Sequence, residues 1–446
     1  MITIVKKFTV CMLFSLFLIF TYCINYPLFL SLRLVDIVLI IFAAWGIFNL
    51  GIKSRLVPIL VGLFYIFYFL STLYGTIFIG ITNTKNFVFV YKYSVLFVCA
   101  WLVSSSKLEE KHIRLLLKIL LFTFVVVLIH EFVSLWVFQT RHPALALTFR
   151  PNFPFTKPFP HKRSGYLGDA HLLAAYISTG ALAILFCRQY GLFKIRLPFY
   201  CVLLIIVFSA MLLTGSRNGV VTFSVTIFLF GFWVFIKKLA APKSCTIIKK
   251  DSIELVFVAF IVCALLIGLY TKWGAQNNLV NRLCHRTFYL NISKDQSSLG
   301  RISKFAHAYD LAHTSPLIIG PGLQSSPKSF FDGAIPSILI SAGIGGLLVF
   351  ATIIIASFLV LHMEANKNQR QSEFHILFFV SFNYILANLI TEFFLVSRSA
   401  VPFAVFWGLI VKLIYTPKYT HGVGAIIRRN NLLVNNHSSF EGHVEY

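Results

Sequence analysis

Residues 198–236 read PFYCVLLIIVFSAMLLTGSRNGVVTFSVTIFLFGFWVFI. Two apolar runs, 198–213 and 219–236, are separated only by the turn TGSRNG. Each run approaches the ~20 residues a helix needs to cross a bilayer. A turn this short between two such runs makes a membrane hairpin. Runs of the same kind recur near 8–23, 35–52, 57–80, 87–104, 115–138, 169–187, 253–270, 336–363, 374–395 and 399–414. With the two quoted runs this predicts an all-α polytopic membrane protein of about twelve transmembrane helices.

Composition agrees with that reading. The 446 residues are 58% hydrophobic and 12% charged, with a mean hydropathy of +0.82. A soluble domain carries roughly twice that charged fraction. Lys6 and Lys7 precede the first run, but no small-x-small cleavage site follows, so the run reads as an uncleaved first span. Residues 1–414 form a single integral membrane domain in this reading, and 415–446 form a polar tail whose composition suits a disordered segment. Seven of the eight cysteines fall in spans or inner connections and only Cys284 in a long outer loop. Neither a disulfide framework nor a zinc ligand spacing is present, and His285, His307 and His313 have no consistent ligand spacing, so no metal and no cofactor is expected.

Lysine and arginine set the orientation. Placing both termini in the cytoplasm divides the 39 cations into 22 inside, with Lys118 and Lys412 at the inner ends of their spans counted there, 16 outside and Lys92 deeper within a span, an inner excess in the expected sense. Twelve of the outer 16 crowd into two excursions, 139–168 and 271–335, the second lying between the ninth and tenth helices. The other four are Arg33, Lys85, Arg217 and Arg398. Most of the formal charge of +24 then faces lipid headgroups, and no soluble domain is long enough to hold a nucleic acid. No internal repeat with matching broken segments stands out, which weakens a transporter reading.

Against that background Arg217 is conspicuous. A tight turn needs no cation, Arg is disfavoured in short outer loops, and an ionisable group held at a membrane face is a candidate for binding a charged ligand. The first excursion carries Arg141, Arg150, Lys157, Lys162 and Arg163. The second carries Lys272, Arg282, Arg286, Lys294, Arg301, Lys304 and Lys328 against Asp295, Asp310 and Asp332. Such an excess suits a polyanion such as a diphosphate, which the planar fork of arginine binds with two parallel hydrogen bonds. Contact with lipid phosphates explains Lys157, Lys162, Lys272 or Lys328 individually just as well, and for Arg163 and Arg301 the two readings are evenly matched.

A transfer to a hydroxyl also needs a general base. The carboxylates near the outer face are Asp36, Glu131, Asp169, Asp295, Asp310, Asp332 and Glu392. Asp332 lies where the long excursion rejoins the membrane. Its plainer reading is a helix N-cap ahead of Pro336. His130 and Glu131 read as a polar contact between helices. GIGG at 343–346 reads as a helix-packing signal, and GPG at 320–322 as a turn.

Three segments together carry a resemblance: RSGYLGDAHLLAAYI at 163–177, LLTGSRNGVV at 212–221, and GRISKFAHAYDLAHTSPLIIGPGLQ at 300–324 followed by DGAIPSILISAGIGGLL. In order, spacing and outward placement they resemble the O-antigen polymerase and ligase superfamily of bacterial inner-membrane proteins, over roughly 163–350. The resemblance implies a GT-C-like, metal-independent glycosyltransferase acting at the periplasmic face on glycans linked to undecaprenyl diphosphate. It also implies membrane lipids and a chain-length regulator as partners. Carried over by motif, Arg163, Arg217 and Arg301 would hold the diphosphate, with Arg150, Arg282 and Arg286 as further cations of the same loops. Asp332 stands where the ligases have a histidine acting on the acceptor, a departure that favours a polymerase over a ligase. Asp169-Ala170-His171 is a second departure, since many relatives have Pro-Asn there. The expected catalytic set is Asp332, Arg217 and Arg301. A ligase, or a lipid-linked oligosaccharide flippase, is the alternative.

Overall fold

The computed structural model describes residues 27–29, 32–33, 56–78, 100, 103–104, 108–139, 170–214, 216–240, 296–313, 316–322, 333–390 and 397–417. The predicted spans 8–23, 35–52 and 253–270, and nearly all of 87–104, lie outside them. The described elements are a short antiparallel pair, β1 (Pro27–Phe29) and β2 (Leu32–Arg33), and the helices α1 (Leu56–Phe78), α2 (Glu110–Gln139), α3 (Ala170–Gln189), α4 (Leu197–Leu213), α5 (Arg217–Ala240), α6 (Gln296–His313), α7 (Ala334–Lys367), α8 (Gln371–Ile390) and α9 (Ser397–Ile414). Eight of these helices overlie eight of the predicted spans.

This is a helical membrane protein. Among the described residues four helical stretches are long and apolar enough to cross a bilayer: Glu110–Ile129, His171–Gln189, Asn218–Ile236 and Ala334–Lys367. The distribution of side chains says the same. Phe69, Ile77 and Phe78 on α1, Phe122 on α2, Phe228 and Phe235 on α5, and Leu348 and Leu359 on α7 are exposed on the outside of the bundle. Ser178, Thr222, Thr226 and Asn383 are buried within it. A protein in water would not leave so much contiguous apolar surface uncovered.

Lipid gives helices no hydrophobic reason to associate, so close packing and interhelical hydrogen bonds must hold them. The central helix α3 fits that requirement. It is rich in Ala, Ser and Gly, is buried nearly all round from Leu173 to Cys187, and contacts α2, α4, α5 and α8. Gly180 faces the ring of Phe124 on α2, where a Cβ would stand only 2.0 Å from a ring carbon. At mid-depth Asn383 on α8 donates to Ser178 Oγ (3.1 Å) and Thr179 Oγ1 (2.9 Å), and accepts from Thr226 Oγ1 on α5 (3.4 Å). Toward the other end Phe186, Phe230 and Phe379 stack from α3, α5 and α8 at centroid separations of 4.9–5.4 Å.

One end of the bundle is tied by charge. Arg370, 1% exposed, donates to Glu373 Oε1 at 2.9 Å, to both oxygens of Glu110 and to the backbone oxygen of Thr416 at 3.0 Å. Arg114 reaches Glu110 as well, at 2.7 Å. Burial alone would lower the pKa of Arg370, but the two carboxylates outweigh it and the net shift is upward. The contacts bring together the start of α2, the start of α8 and the chain after α9, three segments that the distribution of lysine and arginine places on one side of the membrane.

Two features between residues 296 and 345 differ from expectation. Residues 296–313 form the helix α6, where a loop is expected; its residues are too polar on average to register as a span, yet it packs on α7. And α7 is broken at Gly343, which has φ 64° and ψ −170°. Residues 316–322 fill the break. Gly322 N–H donates to Ile340 O (3.0 Å), and the N–H groups of Ile344 and Gly345 donate to Leu317 O and Ile318 O (both 2.9 Å). Ser71 Oγ of α1 reaches Gly320 O and Ile340 O, each at 3.3 Å. Backbone freed inside a membrane protein must find partners within the protein, and GPG together with GIGG supplies the glycine-only geometry that brings the two strands of chain together. GPG is thus a buried joint with α1 and α7 as well as a turn.

Candidate functional site

The site is built on the turn between α4 and α5. Thr214 ends α4, its Oγ1 donating to Met211 O (2.6 Å) and accepting the N–H of Ser216 (3.1 Å). A hydroxyl that bonds the backbone two residues on makes a compact turn with no further residues. Ser216 is 2% exposed, and its Oγ lies 2.7 Å from Nδ1 of His171, in the first turn of α3. Arg217 then opens α5. Asn218, 3% exposed, donates from Nδ2 to Ala387 O at 3.4 Å. That carbonyl is in the last turn of α8. Arg217 is therefore flanked by two buried residues, each tied to a different helix.

The helices α3 and α5 start side by side. Gly219 lies against Ala174, with the position of a Cβ only 2.5 Å from Ala174 O. His171 to Ala174 and Ser216 to Gly219 are each a step of three residues, so the hydrogen bond and the close approach are one helical turn apart along the same seam. Two adjacent helix N-termini turn their positive dipole ends in the same direction, which favours an anion near them.

The start of α7 reaches the same place. Its N-cap is Gly333, with φ 113° and no side-chain capping bond, so the N-cap reading of Asp332 does not hold. A Cβ on Gly333 would lie 2.6 Å from Leu389 O. The residue after Arg217 and the residue after Asp332 thus both rest on the last turn of α8, at Ala387 and Leu389. Of the expected residues, Arg217 begins α5 and Arg301 lies on α6. Asp332, Arg163, Arg150, Arg282 and Arg286 lie outside the described residues, as do the side chains of Arg217, Arg301, His130 and Glu131.

The residue that sequence reasoning did not assign to the site is His171. It stood out only as a departure from the pattern of the resembled family. What could have signalled it is a lone imidazole in the first turn of a span that opens AHLLAAY. No protein-family model matches the chain, and the curated proteins include no match to its sequence.

Proposed function

We propose that this chain is a Wzy-type O-antigen polymerase: a metal-independent glycosyltransferase of about twelve spans and GT-C-like architecture, with both termini in the cytoplasm of a bacterial inner membrane. The donor is a growing glycan on undecaprenyl diphosphate, and the acceptor is a newly delivered lipid-linked repeat unit. The acceptor hydroxyl loses its proton to a base, for which Asp332 is the sequence candidate, and attacks the anomeric carbon of the donor. The glycosyl–oxygen bond breaks and undecaprenyl diphosphate leaves with the electron pair. Fixed guanidinium groups, Arg217 with Arg163 and Arg301, stabilise the charge that develops on the leaving group. At the periplasmic face the glycosyl–diphosphate bond itself supplies the driving force, so no nucleotide-binding motif is needed.

The observation that supports this reading is the convergence on the end of α8. The residue after Arg217 and the residue after Asp332 meet there. A donor-side cation and an acceptor-side base have to be neighbours in this reaction.

The broken α7 is the feature a flippase would share, since transporters bind their cargo at such breaks. Here residues 317–322 take up the freed backbone groups on either side of Gly343, which makes the break a joint in the fold. Lipopolysaccharide from a deletion strain separates the readings on a gel. Loss of a polymerase leaves core carrying a single repeat unit, loss of a ligase leaves bare core, and an unchanged ladder would refute both.

A further inference from the structure

The turn that carries Arg217 is held from outside by a side chain that its own fold does not require. His171 is half-buried at the start of α3, and the next turn of that helix, Ala174 and Ala175, is made of small residues in a tightly packed seam. What the imidazole adds is the 2.7 Å contact with Ser216 Oγ, across 45 residues of sequence. With the Ser216 N–H already held by Thr214 Oγ1, and with Gly219 pressed on Ala174 one turn below, the contact fixes the last free group of the residue before Arg217.

We infer that His171 is a positioning residue: acting through Ser216, it sets the angle at which Arg217 meets the diphosphate of a polyprenyl carrier. This rests on the functional reading above and deepens it. Arginine gains over lysine only where its planar fork meets two oxygens in one plane, so its contribution depends on the orientation of the backbone that carries it. A displacement of about 1 Å in a group that positions a substrate can cost on the order of 10²-fold in rate. A cation that opens a helix directly after a three-residue turn is open to such displacement unless the turn is pinned on both sides. Asn218 to Ala387 O makes one pin, and His171 to Ser216 makes the other.

Full-length protein reconstituted in lipid nanodiscs, titrated with undecaprenyl diphosphate and separately with undecaprenol, tests this. Wild-type protein should bind the diphosphate far more tightly than the alcohol, and Arg217→Ala should abolish that preference. His171→Ala and Ser216→Ala should each weaken diphosphate binding by about tenfold, the size of one hydrogen bond. The double variant should be no weaker than either single one, because both remove the same contact. His171→Gln, whose amide can still bond Ser216, should stay within about threefold of wild type. A purely structural role for His171 would lower thermal stability without changing the preference for diphosphate over alcohol. Glutamine failing to rescue, additive losses in the double variant, or unchanged binding in His171→Ala alongside loss in Arg217→Ala would each overturn the positioning role and leave the polymerase reading standing. Equal binding of diphosphate and alcohol by the wild-type protein would overturn both.

Discussion

Gly219 and Ala174 touch backbone to backbone, with the position a Cβ would take at Gly219 2.5 Å from the carbonyl oxygen of Ala174. That contact brings the starts of α3 and α5 together and, with them, the flanks of Arg217. Gly219→Val should force the two helix starts apart. Overpacking of this kind typically costs about 1–3 kcal/mol, and because the site lies one turn above, activity should fall further than stability. Thermal melting in detergent and a lipopolysaccharide gel from the complemented deletion strain measure the two effects separately.

Arg217→Ala should remove long glycan chains altogether, since loss of one charge-stabilising donor costs about 10²–10³-fold in rate. Arg217→Lys keeps the charge and loses the fork, so it should rescue poorly. A full-length ladder from either variant, at verified protein level, would exclude the assigned role.

Much of the fold was legible before any coordinates. Long apolar runs report spans directly, because lipid selects for apolar side chains along an entire helix, and the turn at Arg217 lies where those runs place it. The missed elements are those whose determinants are not hydropathy. In α6, Leu299, Ile302, Phe305 and Tyr309 form an exposed apolar stripe among polar neighbours, and the average over the segment hides it. The break at Gly343 depends on hydrogen bonds between residues 18 to 27 positions apart, which no local pattern announces. His171 was invisible for a related reason: its partner lies 45 residues away. Asp332 was placed at the correct junction, but the cap belongs to Gly333 because only a glycine tolerates φ 113° against Leu389.

Arg370→Met should destabilise the protein by about 3–5 kcal/mol, because Glu373, 3% exposed, and Glu110 would keep their charge without this partner. Replacing all three at once, with Glu110→Leu, Arg370→Met and Glu373→Leu, should recover most of the loss, since apolar side chains carry no desolvation penalty. Melting temperatures of the single and triple variants decide this; a triple variant less stable than the single one would show that the charges are needed for more than mutual neutralisation.

Asn383→Leu removes the bonds to Ser178, Thr179 and Thr226 together. Interhelical hydrogen bonds within membranes average about 0.6 kcal/mol and reach about 1.7, so the loss should be about 1–2 kcal/mol, seen as a lower melting temperature with diphosphate binding retained.

Gly343→Ala places a methyl group within 2.3 Å of Ile318 O, at a backbone conformation that only glycine adopts readily. It should expel residues 316–322 from their slot, which limited proteolysis in detergent would read as new cleavage in that stretch.

That slot has a mechanical consequence. The far end of the 271–335 excursion is sewn into α7 about ten residues below the head of that helix, so it cannot swing away like a hinged flap. Any pull on residues 316–322 is delivered to α7 at its break, and from there along the upper segment to Gly333.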